Sequence, residues 1–308
     1  MGQNFTNMHP VDTLRIHFDP SQLIVLNMAM AFLMFSVALD IKLSDFRQVV
    51  RFPRAVFVGL TVQYLLFPLF TLALIYLFKP PISVAMGMVL VSMCPSGNMT
   101  NFLVHFSKSN IALSVTLNAI IILAASFITP AGFLFWSKYI AGAEELRRSF
   151  SIGLGEMAWI IVQLIVIPLL LGMFIHARFT VFTEKIRPWV QRVALLIFFS
   201  ILVLAVLANR ENVINYLGYI FVLVLVHNLG ALGSGYGLAK LFRLPELDCR
   251  ALAFESGIHN TALGLLLIFR FFDGLGGMAL IAAWWGIWDL ITGYALAAYW
   301  RRTSAQFG

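Results

Sequence analysis

The feature that most constrains the fold of this chain is a succession of apolar runs of about 20 to 27 residues, separated by short charged loops. A run of that length crosses a hydrocarbon core of roughly 30 Å as a helix, whereas a barrel strand needs about half as many residues. Only 11% of the residues are charged and 60% are hydrophobic, which excludes a soluble domain with a solvated surface. The sequence therefore predicts an all-α, polytopic membrane protein.

The boundaries of the apolar runs predict nine spans, because Pro, Gly and charged residues mark where each run begins and ends. Residues 1–20 carry charges and no apolar core, so we expect neither a signal peptide nor a first span there. The predicted spans cover residues 21–39, 53–78, 82–106, 111–136, 150–177, 189–208, 213–240, 247–271 and 277–300.

The basic residues indicate topology, although the formal net charge of +7 would suggest a nucleic-acid partner in a soluble protein. They lie in short loops without a basic run, which argues against nucleic acid as a partner. The expected partner of the chain is the lipid bilayer. Most of the 21 Lys and Arg residues share a side with the C-terminus, which predicts a cytoplasmic C-terminus and an N-terminus outside a plasma or bacterial inner membrane. The two cysteines are far apart and indicate neither a disulfide framework nor a zinc site.

Two polar breaks interrupt the third and eighth predicted spans, at residues 94–101 and 254–261. Each break places Gly and hydrogen-bonding side chains where a spanning helix should be continuous. Irregular backbone at that depth is tolerated where it is buried in protein or lines a cavity. Spans 2–4 and 7–9 also form two three-span units of opposite orientation, each with its broken span in the middle. Such inverted repeats indicate a secondary transporter.

Glu255 is the strongest candidate for a cation ligand or a proton carrier. Placing a carboxylate deep in a bilayer costs about 2.5–3.5 kcal/mol of free energy unless a cation or hydrogen-bond donors accompany it. A neutral, hydrogen-bonded Glu is the structural alternative. Hard cations such as sodium prefer several oxygen ligands. Neutral oxygens are available close to the first break, although two of them four residues apart on one helix face also suit simple interhelical hydrogen bonding. These neutral candidates are Thr100, Asn101, Ser114 and Asn118.

Other intramembrane polar residues divide into three groups. Gln63 and His259 suggest a second cation site, but imidazole is a poor sodium ligand, and an interior histidine or a proton carrier are the alternatives. Asn98 and Asn260 begin half-helices whose positive ends suit an anionic substrate. Beside this pair, Ser96, Gly97 and Gly257 are further candidate substrate-binding residues. The remaining candidates, divided between packing and function, are His227, Asn228 and Asp289.

With these residues identified, the chain resembles the bile acid:sodium symporter family from about residue 21 to residue 302. A Glu followed five residues later by Asn in one broken helix, together with a Cys-Pro break in the other, is specific to that family. The matching stretches are residues 35–46, Gln63 with Pro68, residues 94–101, residues 110–114, His227 with Asn228, and residues 255–260.

The resemblance implies a core domain of spans 2–4 and 7–9, a panel domain of spans 1, 5 and 6, and a substrate cavity between them. It implies a first sodium site at Thr100, Asn101, Ser114, Asn118 and Glu255, a doubtful second site at Gln63, Glu255 and His259, and substrate contacts at Asn98 and Asn260. The implied organisation is a polar N-terminal segment (1–20), a panel helix with its loop (21–52), the first core repeat (53–136), an outer loop with panel helices (137–212), the second core repeat (213–302) and a tail (303–308).

Three departures from the family pattern concern the helix count and the sodium sites. The polar residues 1–20 cannot supply an additional first helix, so the chain is similar to nine-helix members. Asn118 stands where Thr is usual and keeps an oxygen ligand, whereas His259 stands where Gln is usual and puts the second sodium in question.

The predicted function is sodium-coupled uptake of an organic anion, either bile-acid-like or a small carboxylate, by alternating access. A proton-coupled or antiport relative is the nearest alternative. An intramembrane enzyme is a remote one, because the chain lacks a nucleophile or metal motif, and a ligand receptor is another.

Overall fold

The computed structural model describes residues 9–15, 20–39, 51–149, 154–208 and 210–303, and this part of the chain is almost entirely helical. Within it there is no β-strand, only isolated bridges. The helices are α1 (Pro10–Thr13), α2 (Pro20–Ala38), α3 (Pro53–Phe78), α4 (Ile82–Met93), α5 (Asn98–Phe106), α6 (Ile111–Trp136), α7 (Ala143–Ser149), α8 (Leu154–Ile161, Val162–Val166 and Ile167–Arg178 in one run), α9 (Thr180–Ala208), α10 (Arg210–Leu241), α11 (Glu246–Gly257), α12 (Thr261–Phe271) and α13 (Gly276–Thr303).

The helix lengths confirm the predicted all-α membrane class. Five helices, α3, α6, α8, α10 and α13, are long and apolar enough to cross a membrane. The third and eighth predicted spans are each two short helices separated by an irregular segment, α4 with α5 and α11 with α12. The count of nine spans and the division into core and panel domains stay predictions.

The start of α9 differs from the predicted start of the sixth span by almost a third of the length of the helix. Helix α9 begins at Thr180, whereas the sequence predicts a span from residue 189. The first turns of α9 carry charged residues, which end an apolar run but do not prevent helix formation, because charged side chains are good helix formers outside the hydrocarbon layer. Pro188 lies inside α9 and removes one backbone donor without ending it.

Two π turns precede the prolines of α3 and α8. They cover Val62–Leu66 and Val162–Val166, and Pro68 and Pro168 follow two residues after each. Proline has no N–H, and its ring clashes with the carbonyl four residues earlier, so a wider turn relieves the clash. In α3 the π turn carries Gln63, which it directs toward the neighbouring broken helix.

The buried apolar residues form two clusters on opposite sides of the breaks. One cluster packs α4, α12 and the first half of α13 against the second half of α6. The other packs α5, α11 and the last turns of α13 against the first halves of α3 and α6. The polar breaks therefore lie between two apolar cores, which fixes the depth at which the short helices end.

The polar N-terminal segment contacts α4 and α13, which the sequence does not reveal. Asp12 of α1 is 2% exposed, and its Oδ1 accepts hydrogen bonds from the backbone N of Ser83 at 2.7 Å and from Ser83 Oγ at 2.5 Å. This carboxylate caps the N-terminus of α4. The backbone N of Gly276, at the start of α13, donates to the carbonyl of Leu14 at 2.8 Å. Residues 9–15 thus tie the beginnings of α4 and α13 together.

We expect Asp12→Ala to lower the free energy of unfolding by about 1 to 2 kcal/mol, because it removes the cap of α4. Thermal unfolding of the purified protein in detergent measures the loss. Thr13→Ala is the matched control, since the exposed Thr13 hydroxyl bonds only within α1. Equal unfolding midpoints for the two variants would show that the cap contributes no stability.

Candidate functional site

The two breaks cross and pair with each other. The backbone N of Asn260 donates to the carbonyl of Pro95 at 2.8 Å, and Ser96 and His259 form an antiparallel bridge. A helix interrupted in a bilayer leaves backbone groups that no water can satisfy, and here each break supplies partners for the other. The crossing therefore holds four helix ends, those of α4, α5, α11 and α12, at one point.

Glu255 lies at this crossing and is 3% exposed. Its Oε2 accepts a hydrogen bond from Ser96 Oγ at 2.7 Å, and its Oε1 lies 2.5 Å from Ser114 Oγ. One serine comes from the first break and the other from α6. Among the described residues no ion pair neutralises this carboxylate.

Ser114 lies between two acceptors. Its Oγ is 2.5 Å from Glu255 Oε1 and 2.8 Å from Asn101 Oδ1. A hydroxyl has one proton, so it can donate to only one of these oxygens at a time. The other oxygen is then left as an acceptor for a further donor or a cation.

The other predicted cation ligands, Asn118 and Thr100, also reach the breaks. Asn118 Nδ2 donates to the carbonyl of Gly97 at 3.2 Å, while its buried Oδ1 has no hydrogen-bond partner in the described part of the chain. Thr100 Oγ1 donates to the carbonyl of Ile258 at 3.3 Å, from one break to the other. The structure thus brings the predicted oxygens to one crossing, where the buried Asn118 Oδ1 is left to be satisfied.

Gln63 lies beside the C-terminal end of α4. Its Nε2 donates to the carbonyls of Ser92 at 3.3 Å and Cys94 at 3.0 Å, which are orphan acceptors of that helix end. Its Oε1 is buried and has no donor within the described ranges. Gln63 therefore holds the first break in place and keeps one oxygen available.

His259 lies among aromatic rings. Its ring centroid is 5.2 Å from that of Phe67 and 5.7 Å from that of Trp285. His227 contacts the same two rings at 4.8 Å and 4.7 Å, and its Nε2 is 2.7 Å from Thr71 Oγ1. Both imidazoles contact Phe67 and Trp285, so aromatic surface dominates the surroundings of both.

The predicted substrate contacts have different positions. Asn260 Oδ1 accepts from the backbone N of Leu263 and caps α12, while its Nδ2 points at Met34 Sδ of α2, 3.7 Å away. Asn98 begins α5, but its side chain lies outside what the structure describes. The Ser96 hydroxyl donates its hydrogen bond to Glu255.

The two predicted glycines differ in their surroundings. A Cβ at Gly97 would meet only Asn260 atoms at 3.8 Å and beyond, so this position faces the other break at ordinary contact distance. A Cβ at Gly257 would overlap the side chain of Leu232 in α10. Gly257 is therefore required for close helix packing.

Three polar side chains lie at the second break. The sequence leaves Asn228 and Asp289 open between packing and function, and it does not single out Thr292. Asn228 Nδ2 donates to the carbonyl of Gly257 at 2.9 Å, and its Oδ1 accepts from Thr292 Oγ1 at 2.7 Å. Asp289 Oδ2 accepts from the backbone N of His259 at 3.3 Å. Their only signal in the sequence is polarity inside an apolar span.

Helix α11 lies unusually close to α10 just before the break. Ser256 Oγ bonds the carbonyl of Ala231 at 2.9 Å, and a Cβ at Gly235 would overlap Ser256 Oγ and the carbonyl oxygen of Leu252. In contrast, a Cβ at Gly237 would meet no atom within 4 Å. The position of the second break therefore depends on a glycine in the neighbouring helix.

Comparison with known proteins gives a consistent assignment. The family model described as "Sodium Bile acid symporter family" matches residues 27–216. The chain is 28% identical over 270 residues to the uncharacterized sodium-dependent transporter YocS of Bacillus subtilis (strain 168), an alignment that covers 88% of this chain and 81% of that protein.

Plant relatives are similar at the same level. Identity is 30% over 273 residues to the probable sodium/metabolite cotransporter BASS2, chloroplastic, of Oryza sativa subsp. japonica, covering 88% of this chain and 62% of that protein. It is 25% over 275 residues to the probable sodium/metabolite cotransporter BASS1, chloroplastic, of Arabidopsis thaliana, covering 89% and 66%. The chain thus spans less than two thirds of these two plant proteins.

We expect Gly235→Ala to lower the free energy of unfolding by about 1–3 kcal/mol, because the added methyl group has to push α10 away from the backbone of α11. Gly237→Ala, two residues along the same helix, should leave stability unchanged or slightly raise it. Thermal unfolding of both variants in one detergent makes the comparison. A normal midpoint for Gly235→Ala would contradict the close approach of the two helices.

Proposed function

Because this chain belongs to the sodium bile acid symporter family, whose members are sodium-coupled transporters and not enzymes, we propose that it takes up an organic anion together with sodium. It is an integral membrane protein that carries a small substrate across the bilayer.

The observation that carries the proposal is the oxygen cluster around Glu255. One buried carboxylate, one hydroxyl shared between two acceptors and an unpartnered amide oxygen together suit a single monovalent cation. A second carboxylate within the cluster would be expected for a divalent ion. On the strength of this oxygen set we assign sodium, as transported ion, to Thr100, Asn101, Ser114, Asn118 and Glu255.

The half-helix ends support an anionic substrate. Helices α5 and α12 both begin at the crossing, so their positive dipole ends lie next to one another. The amide of Asn260 adds a donor, whose contact with the weak acceptor sulfur of Met34 is easily exchanged for a carboxylate oxygen. Asn98 and Asn260 are the proposed substrate contacts, with Gly97 beside them.

Ser96 connects the two proposed sites. Its position in the break makes it a candidate substrate contact, and its hydroxyl donates to Glu255. Its backbone pairs with that of His259, one residue before Asn260. Ser96 lies two residues before the start of α5, and His259 lies two residues before the start of α12. A movement of Glu255 on sodium binding can therefore reach the start of each half-helix through Ser96, which offers a physical route for coupling.

The packing of the helices supports alternating access. Helix α2 packs on α8 and α9, while the broken helices pack on α3, α6, α10 and α13. Contact between the two groups includes α2 with α12, the half-helix that Asn260 begins. We propose that the first group is the panel, that it rocks against the core around this contact, and that the C-terminus is cytoplasmic.

A proton-coupled or antiport cycle is the second candidate, and the two buried imidazoles beside Phe67 favour it. The same environment weakens the second sodium site implied at Gln63, Glu255 and His259, because the ring offers nitrogen in place of an oxygen ligand. Uptake driven by a pH step in sodium-free buffer would support this alternative.

We expect Glu255→Gln to abolish sodium-stimulated uptake while the protein still folds. The amide keeps the size of the side chain, but it removes the negative charge that binds the cation. Uptake by proteoliposomes, with choline replacing sodium as the reference, measures the loss. Asp248→Asn is the matched control, because Asp248 lies near the start of the same helix and bonds Asn110. Sodium-dependent uptake that is equal in Glu255→Gln and in the wild type would contradict the proposed site.

We also expect sodium and a suitable anion together to raise the unfolding temperature by more than the sum of their separate effects, since each binds only the folded state and the two sites are connected through Ser96. Pyruvate and cholate are suitable first probes, as they represent a small and a steroid-like carboxylate. Independent, additive effects of sodium and of each anion would contradict the coupling.

A further inference from the structure

A stripe of large apolar and basic side chains runs along one exposed face of α9. Its members are three or four residues apart in the chain, which places them on one side of a helix. In chain order they are Phe182, Lys185, Trp189, Arg192 and Leu196, and we call them the Phe182 stripe. All five are exposed, and the exposed fractions of the three apolar ones are 58%, 67% and 67%. Apolar and basic residues thus alternate along one line on the outside of the protein.

The apolar members of the Phe182 stripe indicate contact with lipid. At the start of α9, Phe179 and Val181 are also 55% and 84% exposed, so the apolar surface extends over several turns. Such a surface is costly in water, whereas acyl chains can cover it. The predicted apolar run of α9 begins at residue 189, near the middle of the stripe. The stripe therefore passes the level at which the hydrocarbon meets the headgroups, where Trp side chains are enriched.

The basic members of the stripe are not neutralised by the protein. Neither Lys185 nor Arg192 has an ion pair among the described residues, and the same holds for Arg178, the exposed last residue of α8. Residues 178–192 contain four basic side chains and one acidic one. The Arg192 guanidinium lies over the Trp189 ring, with its Cζ 5.2 Å from the ring centroid, so this side chain points back toward the start of α9. The excess positive charge is therefore concentrated at the headgroup end of the stripe.

We propose that the Phe182 stripe, together with Arg178, binds an anionic phospholipid of the surrounding bilayer. The lipid phosphate accepts charge-assisted hydrogen bonds from the basic side chains, while the acyl chains cover Phe182 and Leu196. A soluble anion would neutralise the charges but leave the apolar side chains in water. The inference goes beyond the proposed transport of an organic anion, because it involves none of the residues at the crossing and holds whatever the transported substrate is.

The test measures lipid binding to the full-length protein in detergent by native mass spectrometry, with phosphatidylglycerol as the anionic probe and phosphatidylcholine as the zwitterionic one. We expect the wild type to bind phosphatidylglycerol at least about tenfold more tightly than phosphatidylcholine. The double variant Lys185→Gln/Arg192→Gln should bind phosphatidylglycerol about 25-fold more weakly than the wild type, because each basic residue near an anionic lipid contributes about fivefold. Its binding of phosphatidylcholine should be unchanged.

The double variant Lys108→Gln/Arg243→Gln is the matched control for this measurement. It removes two exposed basic residues elsewhere on the protein and changes the net charge by the same amount. We expect it to bind phosphatidylglycerol with the affinity of the wild type.

Three results would overturn the inference. They are equal affinities of the wild type for the two lipids, equal losses of phosphatidylglycerol binding in the two double variants, and displacement of phosphatidylglycerol by inorganic phosphate at a similar concentration. The second result would show a general effect of net charge, and the third would make phosphate alone the ligand. None of them bears on sodium-dependent uptake, so a failure of this inference is distinguishable from a failure of the proposed function.

A depth measurement tests the position of the stripe independently of lipid affinity. Cys94 and Cys249 are both 0% exposed, so a fluorophore reacts selectively with a cysteine introduced at an exposed position. We expect the label on Val181→Cys to be quenched most by lipids that carry a spin label at the headgroup. The label on Leu196→Cys should be quenched most by lipids spin-labelled in the acyl chain. Absence of quenching on Val181→Cys would place the start of α9 in water and overturn the lipid contact.

Discussion

The pairing of the two breaks is the interaction on which the rest of the structure depends. A helix that stops inside a bilayer leaves donors and acceptors that lipid cannot satisfy. Here the backbone N of Asn260 meets the carbonyl of Pro95, and hydroxyls from the first half of the chain meet the carboxylate of Glu255 from the second half. The crossing sets the positions of the polar side chains at the breaks, of the ends of the short helices and of the two apolar clusters around them.

Much of the site is predictable from the sequence because its residues are local to the breaks. Glu255, Asn101 and Asn260 are polar residues in apolar spans, and Ser114 and Asn118 are one turn apart beside the first break. The π turn of α3 also has a sequence signal, the proline that follows it. Assignments of this kind need only the period of a helix and the cost of a polar group in lipid.

Other parts depend on tertiary register, which no local pattern contains. The sequence places Ser96 among the candidate substrate contacts, and it does not show that the offset between the two paired breaks turns its hydroxyl toward Glu255. Asp289 is far from either break in the chain, so its contact with His259 could not be anticipated. The capping of α4 by Asp12 joins a segment that has no helical periodicity to a helix much later in the chain.

The number of ions matters for what such a transporter can accumulate. With a membrane potential of about 100 mV, worth roughly 2.3 kcal/mol per charge, and a tenfold sodium gradient, worth about 1.4 kcal/mol, each sodium contributes about 3.7 kcal/mol. Moving one monovalent anion inward takes about 2.3 kcal/mol of it. One sodium then supports about tenfold accumulation, and two support several thousandfold.

The crossing also has a consequence for biosynthesis. Ser96 and Glu255 are 159 residues apart. At about 5–20 residues per second, the ribosome needs roughly 8 to 30 s to make the intervening chain. Throughout that interval the first break is already made while its partner does not yet exist. The nascent first half must therefore be shielded from lipid by the insertion machinery until the second half emerges, and maturation of the protein is a late event.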